Sequence, residues 1–187
     1  MTFLDLRGRI KVNIFTFLDV LKFFPEESTH NIKIQLSRFS QKGLIHNFKR
    51  EWYCFDQKLV DSLEVGSMLY KPSYISIETA LNYFGIIPDI PQAVTLVTTT
   101  TTKKFKNVFG NFYYTKIKPS LFFGFTKVKS SVSEGYFNLA GKEKAILDFF
   151  YLRKITSISD LRLNLEEVDQ KLYRKYAESF PSWIPKI

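Results

Sequence analysis

The residues between 33 and 41 include several whose side chains can bind the edges of nucleic-acid bases. They are Lys33, Ser37, Arg38 and Gln41. Hydroxyl, amide and guanidinium groups read base edges in the major groove of DNA, and an α-helix fits that groove. Two further cations, Lys49 and Arg50, follow closely and are suited to backbone phosphates. These residue types point to nucleic-acid recognition, with an ordinary solvated helix face as the plainer alternative.

A helix is needed to present these side chains on one surface. Ile32, Leu36 and Phe39 recur at spacings of four and three, which predicts a helix over residues 28–42 with one buried face. Gly43 suits the left-handed residue that commonly follows a helix. On a helical wheel the opposite side contains His30, Ile34, Ser37 and Gln41, with Lys33 and Arg38 on its flanks.

The sequence on either side of this helix predicts its partners. Residues 44–48 and 52–55 are apolar and aromatic, and the charged residues 49–51 between them suit a short hairpin loop. Upstream, Thr16 is expected to cap a helix over residues 17–24, which ends before Pro25. Two helices and a hairpin predict a winged helix, in which the second helix enters a groove and the hairpin loop contacts phosphate.

Three blocks of sequence share an order and spacing with a known family. The first reads LSRF at 36–39, KGLI at 42–45 and WY at 52–53; the second reads KPSYIS at 71–76 and YFGI at 83–86; the third reads FNLA at 137–140 and EKAILD at 143–148. They resemble the L-x-R-L-x-x-K-G-L-I … G-x-Y, P-S-Y-I-S and E-K-A-L-L-D segments of AbiEi-like antitoxins, predicted transcriptional regulators of phage-defence (abortive infection) loci. The chain departs from that pattern at Glu51, where many members have glycine.

The resemblance implies both an architecture and a function. The expected fold is α+β, with an N-terminal winged helix-turn-helix at residues 1–57, a connecting helix at 58–70 and a mixed α/β antitoxin domain at 71–187. A type IV toxin–antitoxin protein of this kind binds double-stranded DNA of its own promoter and counteracts a co-encoded nucleotidyltransferase toxin, with direct contact between the two left open. We expect Lys33, Ser37, Arg38 and Gln41 to set sequence choice and Lys49 and Arg50 to hold phosphate. A protein-interaction module whose winged helix binds no DNA is the alternative.

Positive charge is concentrated in the middle of the chain, which has a net charge of +9. Residues 71–130 hold 8 basic and 2 acidic side chains, against 10 and 8 in residues 1–70 and 9 and 8 in residues 131–187. Basic surface attracts phosphate, although solubility alone is another reason for such charge. The threonine run at 98–102 predicts a strand leading into a basic loop, whose Lys103, Lys104 and Lys106 are candidates for extra phosphate contacts.

The second and third blocks also carry groups that can do chemistry. A nucleophilic Ser76 would need a base, and the only histidines are His30 and His46, so we expect Ser76 to cap a helix instead. Lys144 and Asp148 lie four residues apart and are expected to pair on a helix surface. Two other possibilities are that they join a polar network in the C-terminal domain or face a partner.

A winged-helix nuclease is the enzymatic alternative. Asp89, Asp169 and Lys171 mimic the two acids and the lysine of a metal-dependent nuclease, but residues 160–180 are expected to be helical rather than a strand beside Asp89. The sequence contains no Cys/His cluster, glycine-rich phosphate loop or HExxH motif, so we expect no catalysis, metal or cofactor. The single cysteine, Cys54, and the lack of a signal-like or membrane-spanning segment predict a cytoplasmic, globular protein.

Overall fold

Contacts between residues divide the chain between Asp61 and Ser62. The computed structural model describes residues 1–159 and 161–187, and it separates into unit 1, Met1–Asp61, and unit 2, Ser62–Ile187. Each unit combines helices with one β-sheet, which is an α+β organisation. Within the described residues, no helix has the length and apolarity that crossing a membrane requires.

Unit 1 packs its helices around a small antiparallel sheet. Its elements are α1 Phe3–Arg9, β1 Ile14–Thr16, α2 Phe17–Phe23, α3 Thr29–Gln41, β2 His46–Lys49, β3 Trp52–Cys54 and a short 3-10 helix at Gln57–Leu59. The strand order is β1-β3-β2, so β3 is central and pairs with both neighbours. The predicted helices and hairpin strands at 17–24, 28–42, 44–48 and 52–55 are confirmed as α2, α3, β2 and β3, with ends shifted by one or two residues.

Local hydrogen bonds explain where the helices of unit 1 begin. The Thr16 hydroxyl accepts from the Asp19 N–H at 3.1 Å, and the Asp19 carboxylate accepts from the Thr16 N–H at 2.8 Å. This reciprocal capping box satisfies two backbone donors that would otherwise lack a partner. In the same way the Ser28 hydroxyl accepts from the Asn31 N–H at 3.2 Å and starts α3.

The core of unit 1 lies between these helices and the sheet. Its buried members are Leu6, Ile10, Phe15, Phe17, Val20, Phe24, Ile32, Leu36, Phe39, Ile45 and Phe55. Leu6 lies in α1, Ile10 is the residue at which α1 ends, and Phe15 lies in β1. Neither element was predicted from the sequence, because β1 has only three residues and charged residues and a glycine interrupt the apolar residues of α1.

Unit 2 is built on a six-stranded mixed sheet. Its elements are α4 Ser62–Leu69, β4 Ser73–Ile75, α5 Ile77–Tyr83, β5 Val94–Thr98, β6 Lys103–Asn107, β7 Gly110–Lys116, a short 3-10 helix at Pro119–Leu121, β8 Phe125–Lys129, β9 Tyr136–Ala140, α6 Lys142–Arg153 and α7 Gln170–Ala177. The strand order is β6-β7-β5-β4-β9-β8, which leaves β6 and β8 at the two edges. Strand β4 is antiparallel to β5 and parallel to β9.

Two expectations about unit 2 are wrong. The predicted basic loop is strand β6, in which Lys103 to Asn107 pair antiparallel with β7. The helix expected over 160–180 is confined to Gln170–Ala177; Asp160 lies outside the described residues. Before Gln170, the Asn164 N–H donates to the Ile86 carbonyl at 2.8 Å, so it bonds to the segment that follows α5 rather than to a carbonyl four residues earlier, as it would in a helix.

Candidate nucleic-acid interface

Helix α3 presents the predicted base-reading side chains on its exposed face. Ile32, Leu36 and Phe39 are buried in the core of unit 1. Their burial fixes the rotation of the helix, because residues three and four apart lie on one side. The exposed face therefore carries Lys33, Ser37, Arg38 and Gln41.

The β2–β3 hairpin is held in a defined shape by its turn. The Asn47 side-chain amide donates to the carbonyls of Lys49 at 2.9 Å and Trp52 at 3.1 Å. Glu51 has φ +65°, the left-handed backbone that a tight turn requires. Its carbonyl accepts from the Phe17 N–H at 2.9 Å, which ties the turn to the first residue of α2.

Helix α3 and the hairpin enclose a cleft of about 520 Å³ in unit 1. Four of the six predicted site residues line it, Lys33, Ser37 and Gln41 from the helix and Arg50 from the turn. The remaining lining residues are Phe17, Leu36, Ser40, Asn47, Glu51 and Tyr53. Two elements that the sequence predicted separately thus converge on one concave surface, which we call the helix–hairpin cleft.

Arg38 and Lys49 do not line the helix–hairpin cleft. Arg38 is exposed on α3 and lies about 100° around the helix from Ser37. Lys49 ends β2, and its ammonium nitrogen lies 5.6 Å from the centre of the Trp52 ring, within cation–π range. The exposed Arg38 is therefore available to a ligand that extends beyond the cleft.

The cleft combines free cations with one carboxylate. Among residues 1–159 and 161–187, neither of its two cations, Lys33 and Arg50, takes part in an ion pair. The Lys33 ammonium nitrogen lies 5.4 Å from the centre of the Phe17 ring. Glu51 is the acidic member of the cleft. Burial raises the pKa of Tyr53, and the charge of Glu51 adds a smaller effect in the same direction. Such a surface can hold a phosphate at its cationic rim and form hydrogen bonds inside.

Sequence reasoning missed four polar members of the cleft, Ser40 of α3 and three from the hairpin. Asn47 and Tyr53 project from the hairpin strands, and Glu51 lies in the turn. Asn47 and Tyr53 face each other across the two strands, as their register shows. The hairpin prediction contained this information, because directly paired residues share one face of a sheet.

A second polar cluster lies in the interior of unit 2. The hydroxyls of Tyr74 and Ser76 each donate to Oδ2 of Asp148 at 2.8 Å. The Lys144 ammonium donates to the Tyr74 hydroxyl at 2.8 Å and to Oδ1 of Asp148. All four side chains are fully buried, and we call them the buried cluster. Tyr74 and Ser76 belong to the second sequence block and Lys144 and Asp148 to the third.

The buried cluster balances desolvation against pairing. Burial lowers the pKa of Lys144 and raises the pKa of Asp148, and the attraction between the two charges opposes both shifts. Burial also raises the pKa of Tyr74, which keeps its hydroxyl a donor. Because no member is exposed to solvent, the arrangement supports the interior of unit 2 rather than offering a nucleophile to a substrate.

The buried cluster corrects two sequence-based expectations and confirms another. The surface pairing of Lys144 with Asp148 is wrong, since both are buried, and the polar network held open as an alternative is confirmed. Ser76 precedes α5, but its hydroxyl does not cap the helix. A buried carboxylate without donors costs more than a missing cap, so the hydroxyl serves Asp148. The Thr79 N–H finds the Thr95 hydroxyl instead, at 3.0 Å.

Of the two acidic residues considered for a nuclease, one caps a helix and the other lies outside the strands. Asp169 caps α7, with its carboxylate accepting from the N–H groups of Lys171 at 2.8 Å and Leu172 at 3.1 Å. Asp89 lies in an irregular segment before β5 rather than on a neighbouring strand. Among the residues that the structure describes, no three His, Cys, Asp or Glu side chains are grouped to hold a metal ion.

The extra phosphate candidates lie on an edge of the sheet in unit 2. Lys103, Lys104 and Lys106 are exposed on β6, which has a paired neighbour, β7, on one side only. These lysines are a separate candidate site, described in unit 2 alone.

No protein-family model matches the chain, and no curated protein is significantly similar to it.

Proposed function

We propose that this protein is a DNA-binding transcriptional regulator whose unit 1 is a winged helix. In this proposal α3 enters the major groove and the β2–β3 hairpin is the wing. The observation that carries it is the helix–hairpin cleft, where Lys33, Ser37 and Gln41 of the helix lie beside Arg50 of the turn. A groove-reading helix next to a phosphate-binding hairpin is how this motif docks on DNA.

The side chains divide into two roles in this proposal. Ser37, Arg38 and Gln41 hydrogen-bond to base edges, because hydroxyl, guanidinium and amide groups match the pattern of donors and acceptors in the major groove. Lys49 and Arg50 bind phosphates and fix the register of the protein on the duplex. Lys33, at the edge of the exposed face, supports sequence choice.

The resemblance to AbiEi-like antitoxins supports a more specific proposal. The protein then represses its own promoter in the cytoplasm and counteracts a nucleotidyltransferase toxin encoded beside it, with unit 2 as the antitoxin domain. The buried cluster supports this reading, because two sequence blocks that carry the resemblance meet there through Tyr74, Ser76, Lys144 and Asp148. These four residues are distant in sequence, and their mutual hydrogen bonds explain why they would recur together in one sequence pattern.

Footprinting on the DNA upstream of the gene tests binding and sequence choice together. Wild-type protein is expected to protect a repeat, and the variant with Arg38→Ala, Lys49→Ala and Arg50→Ala is expected to lose this protection. The matched control, Lys11→Ala with Lys22→Ala and Lys58→Ala, removes the same charge from exposed positions of unit 1 and should protect normally. Wild-type affinity in the first variant would show that the winged-helix assignment is wrong.

The antitoxin role has its own test. If a nucleotidyltransferase gene adjoins or overlaps this one, co-expression with wild-type protein should restore growth that the toxin alone arrests. The DNA-binding variant should restore growth as well when both genes are expressed from unrelated promoters, because antagonism is assigned to unit 2. Failure of both proteins to restore growth contradicts the antitoxin proposal and leaves the DNA-binding proposal standing.

One observation favours a protein-interaction module as a second candidate. Ile34 is 36% exposed on the outer face of α3, and Leu18 is 62% exposed on α2. Apolar side chains on a surface otherwise suited to DNA are also suited to a protein partner. An absent footprint, together with loss of a co-purifying partner on Ile34→Glu, would favour this candidate.

A further inference from the structure

One long part of unit 2 contains cations with no acidic residue among them. Between Ile90 and Ser133 the sequence has seven lysines and no Asp or Glu. This segment includes β5, β6, β7 and β8, hence both edges of the six-stranded sheet. A surface that is neutral on balance would intersperse both signs, so this composition creates a local field of one sign.

The positive side chains gather most closely at the β6 edge. Side chains alternate along a strand, so Lys104 and Lys106 project to one side of the sheet and Lys103 to the other. Lys116, at the end of β7, donates its N–H to the Thr102 hydroxyl at 3.1 Å and so lies next to the start of β6. We call Lys103, Lys104, Lys106 and Lys116 the lysine margin. All four are exposed, and none takes part in an ion pair among the described residues.

We infer that the lysine margin binds the phosphates of duplex DNA without reading its sequence. Lysine is a flexible point charge that suits phosphate but lacks the planar fork with which arginine reads guanine. Lys104 and Lys106, about 6.7 Å apart on one side of an extended strand, are spaced comparably to neighbouring phosphates along a DNA strand. This inference concerns unit 2 alone and does not depend on the proposed function of unit 1.

The aromatic rings beside the lysines argue for a duplex rather than a single strand. Proteins that bind single strands stack bases on exposed rings. Here the Lys104 ammonium lies 4.9 Å from the centre of the Tyr113 ring, and Lys103 lies 5.3 Å from Tyr70 and 5.2 Å from Phe105. The cations thus cover ring faces that bases would need, while their charge stays open to a phosphate backbone.

A protective role for these lysines is the competing explanation. Charged residues on an edge strand prevent two sheets from pairing, because burying their side chains between strands is unfavourable. That role predicts aggregation when the lysines are replaced and no change in DNA binding. The two explanations therefore differ in measurable ways.

The test compares binding of random-sequence 20-base-pair DNA by full-length variants across salt concentrations. Lys103→Gln with Lys104→Gln and Lys106→Gln should flatten the slope of log binding constant against log salt by about 2 to 3, since each phosphate contact contributes about 0.9. The matched control, Lys171→Gln with Arg174→Gln and Lys175→Gln, removes the same charge from α7, where acidic residues lie nearby, and should leave the slope nearly unchanged.

Further measurements separate this inference from the proposed function of unit 1. In the background of Arg38→Ala, Lys49→Ala and Arg50→Ala, sequence preference is expected to disappear while the dependence on the β6 lysines persists. An unchanged slope in the β6 variant overturns the inference, whether or not unit 1 binds DNA. It is also overturned if the control variant flattens the salt slope equally, or if single-stranded DNA of the same length binds more tightly than the duplex. Displacement of the bound duplex by polyglutamate but not by unlabelled duplex DNA would overturn it as well.

Discussion

Glu51 stands where the pattern that the sequence resembles has glycine, and its backbone has a conformation that favours glycine. Its φ of +65° lies in the left-handed region, where a side chain crowds the following carbonyl and glycine does not. The turn keeps this conformation because the Glu51 carbonyl is bonded to Phe17 and the Asn47 amide bridges the turn. The departure in sequence is thus a local strain that the surrounding hydrogen bonds hold in place.

Replacing Glu51 with glycine should stabilise the protein. Removing the left-handed strain is expected to raise the free energy of unfolding by about 1 kcal/mol, measured by urea denaturation. Glu178→Gly is the matched control, because Glu178 is exposed with a helical φ of −56° and should lose stability instead. Glu51→Gln separates backbone strain from charge and should not reproduce the gain.

Lys144 is the residue on which the interior of unit 2 depends most. Lys144→Met should lower the free energy of unfolding by about 3–5 kcal/mol, because the Asp148 charge would stay buried without its counter-ion. Lys142→Met, two residues away, breaks a surface ion pair with Glu167 and a cation–π contact with Phe84, and should cost less than about 1 kcal/mol. The double variant Lys144→Met with Asp148→Leu should recover part of the loss. Equal effects of the two methionine variants would contradict the assigned role.

Cys54 gives a prediction with a defined pH dependence. Burial, with a smaller contribution from Asp56, raises the pKa of the thiol from 9.0 to about 11. The folded state therefore favours the protonated form, and the resulting stabilisation is complete below about pH 9 and lost as the pH rises toward 11. At pH 8 iodoacetamide should label the native thiol far more slowly than the urea-unfolded thiol. Equal rates would contradict this shielding.

The helix–hairpin cleft is a property of two elements rather than of any one residue. Periodicity predicted α3 and composition predicted the hairpin, and the fold brings four of the six predicted site residues onto one surface. Of the polar members that were not predicted, Ser40 lies on α3 and Asn47 and Tyr53 face each other across the predicted hairpin, whereas the position of Glu51 depends on the turn between β2 and β3. A bulge shifts the register of these two strands between Asn47 and Lys49, and it has no signal in a single sequence.

The two sides of the cleft should respond differently to substitution. Arg50→Ala is expected to weaken binding to all DNA sequences and to flatten the salt slope by about 0.9, the loss of one phosphate contact. Gln41→Ala should keep the salt slope and reduce discrimination against a mismatched operator, by about 1–3 kcal/mol if its contact is bidentate. Gel-shift titrations with matched and mismatched duplexes measure both effects. Identical behaviour of the two variants would contradict the division of labour.

At the scale of the whole molecule, pattern reasoning was strongest where contacts are local. The helices and hairpin of unit 1 are short-range structures, and they were predicted closely. In unit 2, β5 pairs with β7 and β4 pairs with β9, although neither pair is consecutive in sequence, and Lys144 contacts Tyr74 across 70 residues. Helical periodicity placed Lys144 on the wrong side because α6 is buried nearly all round, which a pattern of polar and apolar residues does not reveal.

Unit 1 should fold without unit 2. It has its own core, and a chain of about 60 residues is close to the lower limit for independent folding. A fragment of residues 1–61 is expected to show a cooperative thermal transition by circular dichroism and to protect the same operator as the full chain. A fragment with no transition would mean that unit 1 needs residues beyond Asp61.

The strand order of unit 2 sets a sequence of events during synthesis. Strand β4 lies inside the sheet, between β5 and β9, and it pairs with β9 through Ile75 and Leu139. The edge of β4 that faces β9 therefore has no strand partner until residues far downstream have left the ribosome. Asp148 and Lys144, which complete the buried cluster, emerge later still. Unit 1 is finished long before this and is free to fold first, since domains generally fold as they are made. Each newly made molecule would therefore have a helix–hairpin cleft before it has a complete unit 2, and nascent chains would be able to engage DNA ahead of any activity that requires the finished sheet.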